Sequence, residues 1–379
     1  MVAGGLAGML LADFGADVVK VEQPGAGDPL RQWTTGGAPL WWKVYGRNKR
    51  YITLNFQSPE GRALLLKMLP KFDVLMESFV PGTLEKKGLG WDDLKQVHPR
   101  LVMLRISGWG RHGPASTLPG FGTLVEAATG LAAMTGDADR PPILPSFPVA
   151  DMTSGLYAAS ATMMALYHRD VHHAPGQTID VSLFESLFSV LGPLPAEYAT
   201  TGQERSRRGN RSKNSSPRGA YATSDGEWIA VSGSTPKMAE RFLESYGLVE
   251  LLKDERFATN EARVKNVDAM DDAIRQAIGS LTLAENMAVI DRNKLTASAV
   301  QTIRHIEADP HWKAMHLLVD APDAGGPVRM HDAVPRFSDT PGEVRFAGGA
   351  LGADNDVIYR DEMGLSETEM EALRTNGVI

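Results

Sequence analysis

The first two hundred residues alternate between apolar runs with a helical period and shorter apolar runs of strand length. Residues 6–16 predict a helix closed by a glycine, and residues 17–22 predict a short buried strand directly after it. The same unit recurs, with predicted helices at 59–69 and 91–97 and predicted strands at 72–76 and 101–106. Helices and strands that alternate at this spacing predict an α/β fold with a doubly wound sheet.

The alternation continues to about residue 200 and then stops. Predicted helices at 124–134 and 151–169 and a predicted strand at 178–181 complete a large α/β domain over residues 1–200. Residues 201–218 are rich in Gly, Ser, Asn and Arg and lack hydrophobic periodicity. That composition is typical of a linker or a functional loop.

A smaller domain with a different pattern is predicted after this linker. The turn sequence Ser224-Asp225-Gly226-Glu227 lies between two apolar runs and predicts a hairpin. Predicted helices at 236–246, 267–278 and 283–291 then indicate an α+β domain over residues 219–324. A second hairpin from Gly325 onward and a terminal helix at 366–375 are expected to return to the large domain, which residues 325–379 complete.

Composition excludes several classes of function. The 379 residues are 43% hydrophobic but contain no apolar run long enough for a membrane span, so we expect a soluble, cytoplasmic protein without a membrane partner. A net charge of −7 argues against general nucleic-acid binding. The absence of cysteine excludes disulfides, thiolate catalysis and iron–sulfur clusters, and the histidines show no metal-ligand spacing. Catalysis would therefore use oxygen or nitrogen groups.

Asp151 is the candidate catalytic residue, because its carboxylate stands alone where the predicted helix 151–169 begins. The first N–H groups and the positive end of the helix dipole would favour the ionised carboxylate, which can act as a nucleophile. Aspartate is also among the commonest residues at the start of a helix. A purely capping role therefore stays open on the residues alone.

Two further patterns concern nucleotide-like ligands. Gly4, Gly5 and Gly8 followed by Glu22 resemble a dinucleotide-binding unit only weakly, because the spacing is wrong and no strand precedes the glycines. Three basic clusters near predicted strand or helix ends could instead hold phosphate groups: Arg31, the run Arg47-Asn48-Lys49-Arg50, and the pair Lys86-Lys87. Each cluster alone is equally typical of a solvated surface.

A set of short motifs in a fixed order carries a resemblance over essentially the whole chain. The motifs are residues 10–22, 27–31, 48–50, 58–62, 77–82, 107–110, Ala150-Asp151 with Gly155, 176–177, 337–338, 341–342 and 377–379. In these positions the chain resembles the family III CoA-transferases, which include formyl-CoA:oxalate and carnitine CoA-transferases and the related α-methylacyl-CoA racemases.

The resemblance implies a reaction and a set of site residues. The residue that matches Asp151 attacks an acyl-CoA thioester and becomes an aspartyl-CoA thioester, which an incoming carboxylic acid then resolves. Acyl-CoA is thus a substrate, and no permanently bound cofactor or metal is expected. The residues that match the CoA-binding region are Arg31, Lys49, Arg50, Phe79, Lys86 and Lys87. The implied fold is a Rossmann-like large domain and a smaller domain, in an interlocked homodimer.

The departures from the family pattern define the alternatives. Racemases carry a histidine base where this chain has Phe121, and a phenyl ring cannot take a proton, so racemisation by that route is disfavoured. Glu126 could substitute as a base but is more typical of an ordinary helix residue. The formyl-CoA enzyme has a carboxylate where this chain has Gly122. It also has a glycine-rich loop where this chain has Ser212-Lys213-Asn214-Ser215-Ser216, so formyl and oxalate specificity is doubtful for this chain.

The start of the chain also departs from the family, because the usual first strand is missing before Ala3. We expect either a start assigned too late, a shortened protein, or a tolerated loss. Three functions remain: a CoA-transferase that uses Asp151, an α-methylacyl-CoA epimerase with an unrecognised base, and a non-catalytic CoA-binding subunit of a heteromeric transferase.

Overall fold

The computed structural model describes residues 2–379 and shows a mixed α/β protein. It divides into two compact units, one formed by Met1–Ala132, Leu144–Gly202 and Lys313–Ile379 and the other by Ala133–Ile143 and Gln203–Trp312. None of the helices in residues 2–379 combines the length and apolar character needed to cross a membrane.

The first part of the chain forms helices and parallel strands. The helices are α1 (Val2–Asp13), α2 (Leu40–Tyr45), α3 (Pro59–Met68), α4 (Trp91–Val97), α5 (Gly122–Ala128), α6 (Leu131–Met134), α7 (Val149–Val171), α8 (Leu183–Ser189) and α9 (Leu194–Thr201). The strands are β1 (Val19–Glu22), β2 (Arg50–Thr53), β3 (Val74–Glu77), β4 (Val102–Ser107) and β5 (Thr178–Ser182).

These five strands form two parallel sheets. One is β1–β2, with Val19 opposite Arg50, and the other is β3–β4–β5, with Val74 opposite Val102 and Met103 opposite Thr178. The expected doubly wound sheet is therefore divided, because no strand among residues 2–379 hydrogen bonds to both groups. The sequence pattern did not predict the strand β2, and it placed only the first residue of this strand, Arg50, in a basic cluster.

The core of the three-stranded sheet positions α7. Buried residues of β4 and β5 pack with α1, α5, α7 and α8 in one cluster: Ala3, Ala7, Leu104, Ile106, Val125, Ala150, Ala158, Ala159, Val181, Leu183 and Leu187. All five residues that α1 and α7 contribute to this cluster are alanines, which lets the two helices approach closely. Sequence periodicity predicted one helix at 124–134, but Gly130, with φ +88°, separates α5 from α6.

The end of the chain packs against the beginning. From residue 310 the elements are α16 (Pro310–Ala314), the antiparallel strands β9 (Leu318–Ala321) and β10 (Val328–His331), a π-helical turn (Asp356–Glu362) and α17 (Glu367–Thr375), which Ser366 caps. A second core cluster joins β2 and α3 to this last segment: Ile52, Leu54, Leu64, Met68, Ile358, Tyr359, Leu365, Met370, Val378 and Ile379.

The second unit contains a three-stranded antiparallel sheet and helices. Its strands are β6 (Arg218–Ala222), β7 (Trp228–Ser232) and β8 (Ala297–Ala299), and β6 and β7 form the expected hairpin. The helices in this part of the chain are α10 (Pro236–Ser245), α11 (Val249–Lys253), α12 (Asn260–Lys265), α13 (Val267–Gly279), α14 (Leu283–Asn293) and α15 (Ile303–Ala308). Their apolar faces surround Phe242, Phe257 and Ile274.

Candidate active site

Asp151 lies in the first turn of α7, which begins two residues earlier than the sequence pattern predicted. The helix begins at Val149, and Pro148 occupies the capping position without a side-chain hydrogen bond. Asp151 is therefore not the N-cap, although it remains the acidic residue of the first turn, where a negative charge interacts favourably with the helix dipole.

The surroundings of Asp151 raise the pKa of its carboxyl group above the usual value. Burial has the largest influence, and the nearby negative charge of Glu126 acts in the same direction. The backbone N–H of Ala3 donates to the carboxylate and opposes the rise. The net direction is opposite to the one expected from the helix terminus alone, because desolvation outweighs the favourable N–H groups.

Two glycines bring neighbouring helices close to Asp151. A β-carbon added at Gly122, the first residue of α5, would lie 2.4 Å from Asp151 Oδ2. A β-carbon added at Gly155, one turn along α7, would lie 2.9 Å from the carbonyl oxygen of Ala3 in α1. The site is thus built where α1 and α5 converge on the start of α7.

Glu126 is the second carboxylate of the site. It is only 2% exposed, and its Oε1 accepts a hydrogen bond from the backbone N–H of Ala150 at 3.2 Å. It therefore satisfies one of the helix N–H groups that Pro148 leaves open. From its sequence position Glu126 is expected to be an ordinary helix residue. The available signal was a carboxylate on an otherwise apolar helix, Gly122–Ala128.

Arg31 and Arg50, two of the expected CoA-binding residues, are engaged in ion pairs. Arg31 donates from Nε and Nη2 to the buried Glu22, at 2.7 Å each, and from Nη1 to the carbonyl oxygen of Gly349 at 3.0 Å. Its guanidinium group also stacks on Trp42. Arg50 pairs with Asp17 and with Glu362. These contacts hold the β1–β2 sheet and the end of the chain together.

Lys49 is buried, with 5% of its surface exposed. Its Nζ donates to the carbonyl oxygens of Gly5 at 2.8 Å and Tyr45 at 2.7 Å, and burial lowers its pKa to about 7. The neighbouring Arg47 is also buried and pairs with Asp13, with Nη2 2.6 Å from Oδ2. In this structure the basic run at 47–50 therefore points largely into the protein.

Phe79, Lys86 and Lys87 lie beyond the carboxyl end of β3, the edge at which parallel sheets bind ligands. Phe79 is 41% exposed, and its ring lies 5.4 Å from that of Phe56 in an edge-on arrangement. Lys86 is exposed and Lys87 is half-buried in a single turn of 3-10 helix. All three residues follow β3 in the chain, whereas the charged groups of Arg31, Lys49 and Arg50 are held by other partners.

An ion-pair network that the sequence motifs did not predict lies at the carboxyl ends of β3 and β4. Arg105 Nε lies 2.7 Å from Glu77, and Arg105 Nη2 lies 2.7 Å from Glu85. Arg111 contacts the same two carboxylates, at 3.3 Å and 2.8 Å. Two charged residues within the apolar strands at 74–77 and 102–107 were the signal that could have indicated this network.

The family profile decides the class of the protein. The profile described as CoA-transferase family III matches residues 1–355. The chain belongs to CoA-transferase family III. The resemblance drawn from the short motifs is confirmed, and the protein is a CoA-transferase by family.

Similar proteins support the same class. This CoA-transferase is 37% identical to a succinyl-CoA:D-citramalate CoA-transferase of Chloroflexus aurantiacus, in a match that covers 100% of this chain and 95% of that protein. It is 36% identical to the beta subunit of a succinyl-CoA:L-malate CoA-transferase of the same organism, with 100% and 95% covered. A CaiB/BaiF family protein from Brucella suis has a similar solved structure, with a TM-score of 0.83, 31% identity and 95% of each chain covered.

Proposed function

We propose that this CoA-transferase moves CoA from an acyl-CoA thioester to a free carboxylic acid through an aspartyl-CoA thioester on Asp151. The observation that carries the proposal is the position of the Asp151 carboxylate, partly buried in the first turn of α7. A carboxylate at a helix N-terminus can be ionised for attack, and nearby N–H groups can stabilise an oxyanion.

The reaction consists of paired acyl transfers. An Asp151 oxygen attacks the thioester carbonyl, the C–S bond breaks, and CoA leaves as the thiolate while a mixed anhydride forms. The thiolate then attacks the Asp151 carbonyl carbon and releases the donor acid as a carboxylate. The acceptor carboxylate attacks the aspartyl-CoA thioester and the same steps run in reverse, which regenerates the ionised Asp151.

We propose succinyl-CoA as the donor and a small dicarboxylic acid as the acceptor. The support comes from the similar proteins named above, whose names combine succinyl-CoA with citramalate or malate. A relative from Agrobacterium fabrum, 33% identical, is named a succinate–glutarate CoA-transferase. All of these acids carry two carboxylates, one of which would accept CoA.

Phe79, Lys86 and Lys87 are the CoA contacts that we favour within the proposed set. Their exposure at the carboxyl edge of β3 makes an aromatic surface and two positive charges available to an adenine and its phosphates. Arg31, Lys49 and Arg50 are proposed to contribute to CoA binding indirectly, by holding the β1–β2 part of the chain in place, since their charged groups already bind Glu22, backbone carbonyls, Asp17 and Glu362.

We propose that the active form is a homodimer. One face of α7 is exposed and apolar, with Leu156, Met163, Met164, Tyr167 and Val171 at helical spacing. A second copy of the chain would cover this face. Replacement of Met164 and Tyr167 by glutamate should then convert the protein to monomers in analytical ultracentrifugation.

The covalent step is tested by trapping. Protein incubated with succinyl-CoA and then hydroxylamine should carry a hydroxamate on Asp151, located by peptide mass spectrometry, and the Asp151→Asn variant should carry none. If folded protein shows no modification with several acyl-CoA donors, the proposal fails. Isotope exchange at the α-carbon of a methyl-branched acyl-CoA would instead indicate an epimerase, and activity that needs a second, different chain would indicate a heteromeric enzyme.

A further inference from the structure

Glu126 is a buried carboxylate for which the reaction above has no use. It lies on α5 with 2% of its surface exposed, and its Oε1 accepts the N–H of Ala150, the residue directly before Asp151. Removing a charged carboxylate from water costs free energy, and a second carboxylate nearby adds repulsion. Glu126 is therefore expected to have a role that offsets this cost.

Both carboxylates reach the same small space beside Gly122. A β-carbon added at Gly122 would lie 2.4 Å from Asp151 Oδ2 and 3.7 Å from Glu126 Oε1. Two negative charges this close, in a partly buried site, repel each other more strongly than they would in water. The geometry thus couples the charge of Asp151 to that of Glu126.

We propose that Glu126 is a positioning residue that fixes the first turn of α7 and, through its negative charge, favours conversion of Asp151 into its neutral acylated form. The inference rests on the proposed function of Asp151. When Asp151 attacks a thioester, one negative charge moves away from the aspartate: the new C–O bond neutralises the aspartate, and the broken C–S bond places the charge on the CoA sulfur. Repulsion from Glu126 is relieved in that step.

The same repulsion explains part of the raised pKa of Asp151, because protonation and acylation both remove its charge. The elements packed against α7 include α1, α5, α8, β4 and β5. The charged residues that they carry are Asp13, Glu126, Glu185, Arg105 and Asp180. Of these five, Glu126 is the one whose charge acts appreciably on Asp151. Asp13 is paired with Arg47, and Arg105 is paired with Glu77.

The Glu126→Gln variant separates the charge from the hydrogen bond. A glutamine oxygen can still accept the N–H of Ala150, so the helix start is kept while the charge is removed. We expect Asp151 to be acylated by succinyl-CoA about five- to tenfold more slowly in single-turnover trapping, because the repulsion that acylation relieves is absent in this variant. The acidic limb of the pH–rate profile should move to lower pH, because the pKa of Asp151 falls when the neighbouring anion is lost.

Two further variants and one spectroscopic measurement complete the test. Glu126→Ala removes both charge and acceptor and should lose more than Glu126→Gln, while Glu250→Gln, an exposed glutamate of the second unit, should match the wild type. The titration of Asp151 is followed independently by carbon-13 NMR of labelled aspartate, with Asp151→Asn to assign the signal. A downward shift of its pKa in Glu126→Gln is expected whether or not the protein turns over.

The outcomes distinguish the two proposals. If the wild type is labelled on Asp151 but Glu126→Gln keeps the wild-type rate and acidic limb, the inference is overturned and Glu126 is only a structural cap. Equal losses in Glu126→Gln and Glu126→Ala with an unmoved acidic limb overturn it in the same way. If the wild type itself is never labelled, the proposed function fails, and the acylation part of the inference fails with it.

Discussion

Gly122→Ala tests whether the Asp151 carboxylate needs the space beside α5. The added β-carbon would lie 2.4 Å from Asp151 Oδ2, whereas non-bonded atoms pack favourably at about 3.5 Å. The carboxylate therefore has to move by about 1 Å, and a misplacement of that size at a reacting group can cost about 100-fold in rate. We expect kcat to fall by about that factor.

The same substitution should leave the fold intact. Gly122 is the first residue of α5 and is not among the glycines with a left-handed backbone, so alanine is permitted there. Alanine favours a helix over glycine by up to about 1 kcal/mol, which offsets some of the strain of the displaced carboxylate. Chemical denaturation should show stability within about 1 kcal/mol of the wild type.

The assay compares steady-state CoA transfer with the amount of trapped Asp151 hydroxamate. Gly279→Ala is the matched control, because a β-carbon at this other helical glycine would meet its nearest atom, the carbonyl oxygen of Ala222, at an ordinary 3.5 Å. A folded Gly122→Ala protein with wild-type kcat and wild-type trapping would refute the reasoning.

Three more predictions concern groups that support the site. Because burial lowers the pKa of Lys49 to about 7, its desolvation penalty is full below pH 7 and is relieved as pH rises toward the unfolded value of 10.5. The stability of the wild type relative to Lys49→Met should therefore increase by about 1.4 kcal/mol per pH unit over that window. A stability difference between the two proteins that is the same at pH 7 and pH 9 in urea unfolding would contradict this. Asp13→Asn should destabilise the fold by about 3–5 kcal/mol in urea unfolding, since it leaves the fully buried Arg47 unpaired; a loss below about 1 kcal/mol would show that Arg47 finds another partner. The double change Lys86→Ala and Lys87→Ala should raise the KM for acyl-CoA about tenfold with kcat unchanged, and a KM equal to that of the wild type would remove both lysines from the CoA site.

Short sequence patterns were sufficient to predict helix boundaries that depend only on residues nearby in the chain. The helix α4 was placed at its observed bounds, Trp91–Val97, and α3 begins at Pro59 with Ser58 as its side-chain cap. The start of α7 was misplaced by two residues for the opposite reason. Its Ala150 N–H is satisfied by Glu126 from another helix, and no pattern around Asp151 reveals that contact.

The basic run at 47–50 shows a second limit of sequence reasoning. A cluster of positive charges is equally compatible with a phosphate site and with buried pairing, and the choice depends on residues far away in the chain. Arg47 pairs with Asp13, and Lys49 donates to the carbonyl oxygens of Gly5 in α1 and Tyr45 in α2. The CoA assignment of Lys49 and Arg50 stays a prediction, but their side chains have structural partners that the sequence could not show.

The packing of the chain's end on its beginning constrains how the protein can be made in the cell. Ile52 and Leu54 share a core with Tyr359, Met370 and Val378, so about 300 residues separate the two halves of that cluster. During synthesis the apolar surface of the β1–β2 segment stays uncovered until residues 358–379 have left the ribosome. A deletion of α17 alone would therefore destabilise the β1–β2 sheet, which lies about 300 residues earlier in the sequence, and proteases should cleave first in that β1–β2 segment.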